Sequence, residues 1–250
     1  MDTTKVNKKH VLMVAHRGVS GLEPENSIPA FIAAGNRSYY GVETDVHVTA
    51  DGQFIIIHDS RTGRVAEDDL NVEQSSYRLL RKIRLHNLCR KEIEAGLTSE
   101  DVVPREDLLL PSLEEYIRIC KKYAKVCVLE LKEAFAVSDI RRMIAEIKEL
   151  GYLEQVIFIS FDFDNMVHLR ELLPNQQLQY LTSKYDGEVL GRLNQYNLDL
   201  DVHFAALTKE IVDEIHANGH KINCWTVDDK ETAEKLVDWG VDYITYNILE

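Results

Sequence analysis

The feature that most restricts this chain is a regular alternation of short apolar runs with amphipathic helical stretches. Residues 11–17, 41–49, 125–132, 156–161, 178–182, 198–204, 221–227 and 243–247 carry the β-branched or alternating pattern of strands. Helical patterns such as 27–39, 138–150 and 230–239 lie between them. Strands interleaved with helices pair in parallel, because each crossover helix returns the chain to the same end of the sheet. Eight such strands in 250 residues predict an α/β fold of the (β/α)8 TIM-barrel type, a size at which that barrel forms one domain, here residues 1–250. Ser27 is the expected N-cap of the first helix, with Pro29 in its first turn.

Two places interrupt the rhythm. Residues 41–49 and 53–59 are separated by Ala50-Asp51-Gly52, a tight-turn signal that predicts a hairpin off the second barrel strand. Residues 60–110 then form a polar stretch with a basic helical piece around 76–84 and an acidic loop around 100–107. A connection this long carries structure of its own, so a small insertion over the barrel mouth is expected.

Charge and cysteine usage exclude several classes. The net charge of −13, from 42 acidic against 29 basic residues, leaves no basic face for a nucleic-acid duplex, although a local basic pocket for one small anion is compatible with it. Cys89, Cys120, Cys127 and Cys224 show no C-x-x-C spacing and are expected to be reduced and buried. Residues 1–10 are polar and no run approaches the roughly 20 apolar residues of a membrane span, so a cytoplasmic protein without stable membrane association is expected.

Catalytic groups in such barrels come from the carboxyl ends of several strands. His16 and Arg17 end the first strand, Glu43 and Asp45 lie in the second, His58 ends the hairpin's return run, and Glu130 and Lys132 end the third barrel strand. Alternation puts Glu43 and Asp45 on one strand face, where they repel unless something cationic sits between them. Val128, Glu130 and Lys132 likewise share a face. A lone His-Arg-Gly after a strand is usually only a loop, and paired acids on a strand are usually a solvated edge. A solvated edge, however, does not belong in a parallel barrel of valine and isoleucine strands.

The set His16-Arg17-Gly18, Pro24-Glu25-Asn26-Ser27, Glu43-x-Asp45, Asp51-Gly52, His58-Asp59, Leu110-Pro111-Ser112-Leu113-Glu114-Glu115, Glu130-Leu131-Lys132, Ser160-Phe161 and Trp225-Thr226-Val227 resembles the glycerophosphodiester phosphodiesterase family, in family order over nearly the whole chain. The resemblance implies a metal-dependent hydrolase that splits a glycerophosphodiester into glycerol 3-phosphate and an alcohol. It assigns Glu43, Asp45 and Glu130 to one divalent cation, His16 and His58 to acid and base work, and Arg17 and Lys132 to phosphate contact. It further suggests attack by the substrate's own glycerol 2-hydroxyl, through a cyclic phosphate that water opens. Three carboxylates suit a hard cation such as Mg²⁺ or Ca²⁺. Which histidine is acid and which base stays open at this point.

Weaker expectations surround this set. Glu25 and Asn26 orient the site or cap the helix after Ser27; His47 is structural or supporting; Asp59 hydrogen-bonds His58 rather than a metal. Trp225 lines the glycerol pocket or fills the barrel, and His203 is polar packing. Two departures from the family pattern stand out. The segment Ser60-Arg61-Thr62-Gly63-Arg64 is compressed, which puts the pocket rim in question, and Thr245-Tyr246-Asn247 replaces an aspartate-proline ending, which puts closure of the last strand in question. The rival functions are a lysophospholipase D-like enzyme on lipid diesters, for which Leu108-Leu109-Leu110 is no amphipathic anchor, and a non-catalytic barrel that binds a phosphorylated ligand. The latter should have lost a histidine or an acid, and none is missing.

Overall fold

A computed structural model of the protein describes residues 2–250. Its strands are β1 (Leu12–Ala15), β2 (Gly41–Val48), β3 (Phe54–Ile56), β4 (Val126–Leu131), β5 (Val156–Ser160), β6 (Leu178–Thr182), β7 (Asp199–His203), β8 (Ile222–Trp225) and β9 (Tyr243–Tyr246). They run in the order β1-β9-β8-β7-β6-β5-β4-β2, and β2 pairs back onto β1 to close the ring. Every pairing in the ring is parallel; β3 alone is antiparallel, on the far end of β2. This is the closed eight-stranded barrel the alternation predicts, with β3 as the hairpin's return arm.

The helices are α1 (Ile28–Gly35), α2 (Tyr77–Leu80), α3 (Arg90–Glu94), α4 (Leu113–Lys122), α5 (Val137–Glu149), α6 (Phe163–Leu172), α7 (Gly187–Tyr196), α8 (Lys209–Ala217) and α9 (Lys230–Trp239). Seven of them, all but the short α2 and α3, connect barrel strands. Their starts are chemically marked: Ser27 accepts from Ala30 at the head of α1, and Ser112 forms a capping box with Glu115 at the head of α4. The first helix stops at Gly35, four residues short of the predicted end, where the Asn36 amide donates to the Ile32 carbonyl at 3.0 Å. Strands β4 and β5 are buried along their whole length, as strands of a parallel sheet covered by helices must be.

The last strand closes the ring without a gap. Residues Leu12 to Ala15 of β1 pair in register with Tyr243 to Tyr246 of β9, so the missing aspartate-proline ending does not disturb closure. Tyr246 is fully buried and packs its ring 5.6 Å from that of Tyr39.

Residues 61–110 have a core of their own. Val72, Leu80, Leu85, Leu108 and Leu110 cluster with Ile55 and Ile57, whereas Phe54 and Ile56 belong to the barrel core. Two-residue alternation thus splits the return arm, one face for the barrel and one for the insertion. The predicted helical piece at 76–84 is only the single turn α2. Beyond it Leu85 bridges to Ala66 and Arg84 to Leu109, so the alternating Ile83 and Leu85 are used in extended backbone. Arg81 ties the insertion to α4 through a bidentate pair with Glu115 at 2.7 and 2.8 Å. Among the described residues no helix is long and apolar enough to cross a membrane.

Leu108 has no exposed surface and contributes to this second core. Leu108→Ala should cost about 2–5 kcal/mol locally. Limited proteolysis is expected to cut faster within residues 61–110 while the far-ultraviolet circular dichroism of the barrel is unchanged; simultaneous loss of barrel signal would show that the two cores do not separate.

Candidate active site

The strands deliver the predicted residues to one end of the barrel. In the β2–β4 register Asp45 lies directly beside Glu130, and Glu43 beside Val128, so two adjacent parallel strands aim three acids at the same point. One oxygen from each of Glu43, Asp45 and Glu130 lies within 4.8 Å of the others, and all three residues are buried. His16, Arg17, Glu43, His58, Glu130, Lys132 and Trp225 line a single cavity of about 80 Å³, walled further by Phe161, Leu181 and Asp201. Thus every residue named from the sequence for chemistry or substrate contact lines this cavity except Asp45, whose carboxylate lies within 4.8 Å of those of Glu43 and Glu130.

Burial and mutual repulsion dominate the acids. Burial, and then the neighbouring Asp45 and Glu130 charges, push Glu43 well above the usual carboxylate range. Burial and Asp45 push Glu130 up to about 8. For Asp45 burial acts in the same direction, but Arg17, Lys132 and His58 outweigh it and hold the carboxyl low. Lys132 donates to Glu130 at 2.8 Å and stands 3.4 Å from Asp45 Oδ1. That oxygen is nevertheless buried without a hydrogen bond among the described residues. An orphaned carboxylate oxygen facing two further acids, in an all-oxygen donor set, fits a hard divalent cation.

The cationic side is placed by backbone shape. Arg17 and Gly18 both take positive φ, 53° and 77°, at the turn leaving β1. A Cβ on Gly18 would come 2.6 Å from the Ala30 backbone, so only glycine lets the turn sit on α1. The turn directs the Arg17 backbone N–H to Glu43 at 2.9 Å and its guanidinium to Glu25 at 2.8 Å and Asp45 at 3.5 Å. Asn26, also at positive φ (51°), donates to Asp45 at 2.8 Å and accepts from Thr44 at 2.7 Å. Asn26 therefore orients Asp45, while Ser27 does the helix capping.

Both histidines have one ring nitrogen committed. His16 Nδ1 lies 2.8 Å from Asn247 Oδ1. The Asn247 amide nitrogen donates to Asp228 at 2.6 Å, so its oxygen is the atom facing His16, and it accepts from Ser20 as well at 2.7 Å. An amide oxygen only accepts; His16 therefore carries its proton on Nδ1 and leaves Nε2 free. Burial, and then Arg17, lower its pKa to about 3, so the ring is neutral. His58 Nδ1 pairs with Asp59 at 2.5 Å. Burial lowers the His58 pKa as well, with Asp45 and Asp59 opposing.

Sequence reasoning overlooked two of these partners. Asn247 figured only as a departure from a pattern, although it stands one residue past the last strand, within hydrogen-bond distance of His16. Arg64 figured only within a compressed segment, yet it donates to Asp59 at 2.5 Å and to Glu25 at 2.7 and 2.9 Å. It thereby joins the partner of His58 to the partner of Arg17. Against burial, Arg64 and Arg17 hold Glu25 down at about 2. The signal available was a pair of arginines, Arg61 and Arg64, a few residues after His-Asp, of which Arg61 is taken up by Asp69. His203 stacks on Phe204, ring centres 4.8 Å apart, and meets the edge of Trp225 at 5.2 Å, consistent with packing at the rim.

Comparison with known proteins bears on the family and the fold. The model of the glycerophosphoryl diester phosphodiesterase family matches residues 16–250. A glycerophosphodiester phosphodiesterase of Caldanaerobacter subterraneus subsp. tengcongensis is 27% identical over 238 residues, covering 93% of this chain and 92% of its own. One from Bacillus subtilis is 26% identical over 256 residues, covering 95% and 83%. Among solved structures, an Oleispira antarctica phosphodiesterase in complex with its product sn-glycerol-3-phosphate superposes with a TM-score of 0.79 at 22% identity, covering 98% of this chain and 96% of that one. A Parabacteroides distasonis glycerophosphodiester phosphodiesterase gives 0.77 at 25% identity, covering 99% and 94%. With its barrel, its site and a family match that begins at His16, this chain belongs to the glycerophosphoryl diester phosphodiesterase family.

Proposed function

We propose that this chain hydrolyses soluble, deacylated glycerophosphodiesters to glycerol 3-phosphate and an alcohol, as one barrel domain whose insertion helps to build the site. The observation that carries the reading is the meeting of three crowded carboxylates with two histidines, each with Nδ1 engaged and Nε2 free, in one cavity. The Oleispira antarctica enzyme's bound sn-glycerol-3-phosphate supports the substrate class.

Glu43, Asp45 and Glu130 would hold one divalent cation of the Mg²⁺ or Ca²⁺ class, which when bound supplies Lewis-acid polarisation of a phosphoryl oxygen. Arg17 and Lys132 bind the phosphate and offset charge that builds on its equatorial oxygens. His16, with its lone pair on Nε2, takes the proton of the glycerol 2-hydroxyl as that oxygen bonds to phosphorus. His58, whose imidazolium form Asp59 stabilises, donates its Nε2 proton to the alkoxide as the phosphorus–oxygen bond to it breaks. Water then opens the cyclic phosphate with the roles reversed: His58 takes the proton of water and His16 returns one to the 2-oxygen. Trp225, edge-on to Phe161 at 5.7 Å, lines the wall against which the glycerol rests.

Release of glycerol 3-phosphate from glycerophosphocholine and glycerophosphoethanolamine, measured with Mg²⁺, with Ca²⁺ and with EDTA, tests the reading. Turnover is expected with at least one cation, loss of it in EDTA, and a fall of about 10²–10⁴-fold in His16→Ala. Undiminished turnover in His16→Ala, or none on either diester by folded protein, would overturn it.

Asn247 is read as a positioning residue for His16. Asn247→Leu frees the imidazole to turn or change tautomer, and should lower kcat by about 10–100-fold with KM nearly unchanged. A change confined to KM would assign Asn247 to substrate binding instead.

A further inference from the structure

A second group of metal-ligating side chains lies outside this site. His47, Glu73 and Glu133 each present one ligand atom within 4.8 Å of the other two. The glutamates are exposed, but His47 is 1% exposed. His47 Nε2 stands 3.2 Å from the carbonyl oxygen of His58. A carbonyl only accepts, so Nε2 bears the hydrogen and the lone pair of the neutral ring is on Nδ1. Nδ1 is buried without a hydrogen-bond partner among the described residues and faces Glu73 Oε1 at 3.5 Å. A buried lone pair aimed at two carboxylates is repulsive unless a cation stands between them. A histidine whose second nitrogen donates to a backbone carbonyl is, moreover, the usual form of a metal-bound imidazole.

We propose that His47 Nδ1, Glu73 and Glu133 form a second cation site, separate from the carboxylate cluster, for a first-row transition ion of the Zn²⁺ class. The donor sets differ in kind. Glu43, Asp45 and Glu130 offer only carboxylate oxygen, whereas this group adds an imidazole nitrogen, which suits zinc and its neighbours better than Mg²⁺ or Ca²⁺. The adjoining cavity of about 210 Å³, lined also by Val48, Phe135 and Asp139, leaves room for water to complete the coordination. Asp139 itself is taken up by Arg142 at 2.6 Å.

The ligands come from three parts of the chain: β2, the insertion, and the connection from β4 to α5. Their backbones are held. Val72 N–H bonds to the Ser60 carbonyl and Ala50 N–H to the Ser75 carbonyl on either side of Glu73, and the Asn165 amide donates to the Glu133 carbonyl. An ion here would staple the insertion to the barrel and, through His47, fix the backbone of His58. The inference does not depend on the diesterase reading.

The test is equilibrium dialysis of the full chain against Zn²⁺ in saturating Mg²⁺, for wild type and for the exposed-residue variant Glu73→Gln/Glu133→Gln. Wild type is expected to bind one more zinc per chain than the variant. Co²⁺ titrated in its place should show the visible absorption bands of a low-coordinate, nitrogen-ligated ion in wild type only. Mg²⁺-dependent glycerol 3-phosphate release should persist in the variant, so failure of this site and failure of the diesterase reading are distinguishable. Equal zinc counts with identical Co²⁺ spectra would overturn the proposal.

Discussion

The repulsion among Glu43, Asp45 and Glu130 is the constraint around which the rest of the site is arranged. Three buried acids on adjacent parallel strands cannot all carry charge without compensation, and the protein compensates only partly: Arg17 and Lys132 are set against Asp45, while Glu43 and Glu130 are left with raised pKa values. A chain selected for stability alone would place apolar groups there, since buried ion pairs seldom stabilise more than well-packed apolar replacements. The remaining deficit of positive charge is the basis on which a divalent cation is proposed to bind there.

That arrangement depends on a turn with unusual backbone. Arg17 can reach Glu25 and Asp45 while its N–H reaches Glu43 only because the chain leaves β1 through two consecutive residues of positive φ. Left-handed backbone at an arginine is disfavoured, and it persists where surrounding contacts over-determine it. Here those contacts are Glu43 on the backbone, Glu25 on the side chain, and α1 pressed against Gly18. Strand, turn and helix are thus fixed together by the charge they serve.

Much of this was legible in the sequence. The barrel followed from alternation alone, and the parity of strand positions put Glu43 with Asp45, and Glu130 with Lys132, on shared faces, because a barrel strand's two faces are assigned by counting; the grouping of the three acids into one set came from the family resemblance. Parity carries no information about loops. Arg64 and Asn247 contribute through the path of the chain after a strand ends, and a run such as 76–84 contains both a helical and an extended pattern. Tertiary packing decides between them: Leu80 closes a turn, while Ile83 and Leu85 fill the second core in extended backbone. Closure by Tyr246 was likewise hidden, since a buried tyrosine against Tyr39 serves where the family pattern has other residues.

The insertion is better understood as part of the site than as an ornament on the barrel. Its Arg64 links Asp59, which holds His58, to Glu25, which holds Arg17. The return arm β3 gives one of its faces to the insertion core and then leads directly into His58. Any displacement of residues 61–110 is therefore transmitted to both His58 and Arg17, through hydrogen bonds on one side and packing on the other. Because hydrogen-bonded charge pairs tolerate little change in distance, the barrel and its insertion have to be ordered together for His58 and Arg17 to face the same cavity.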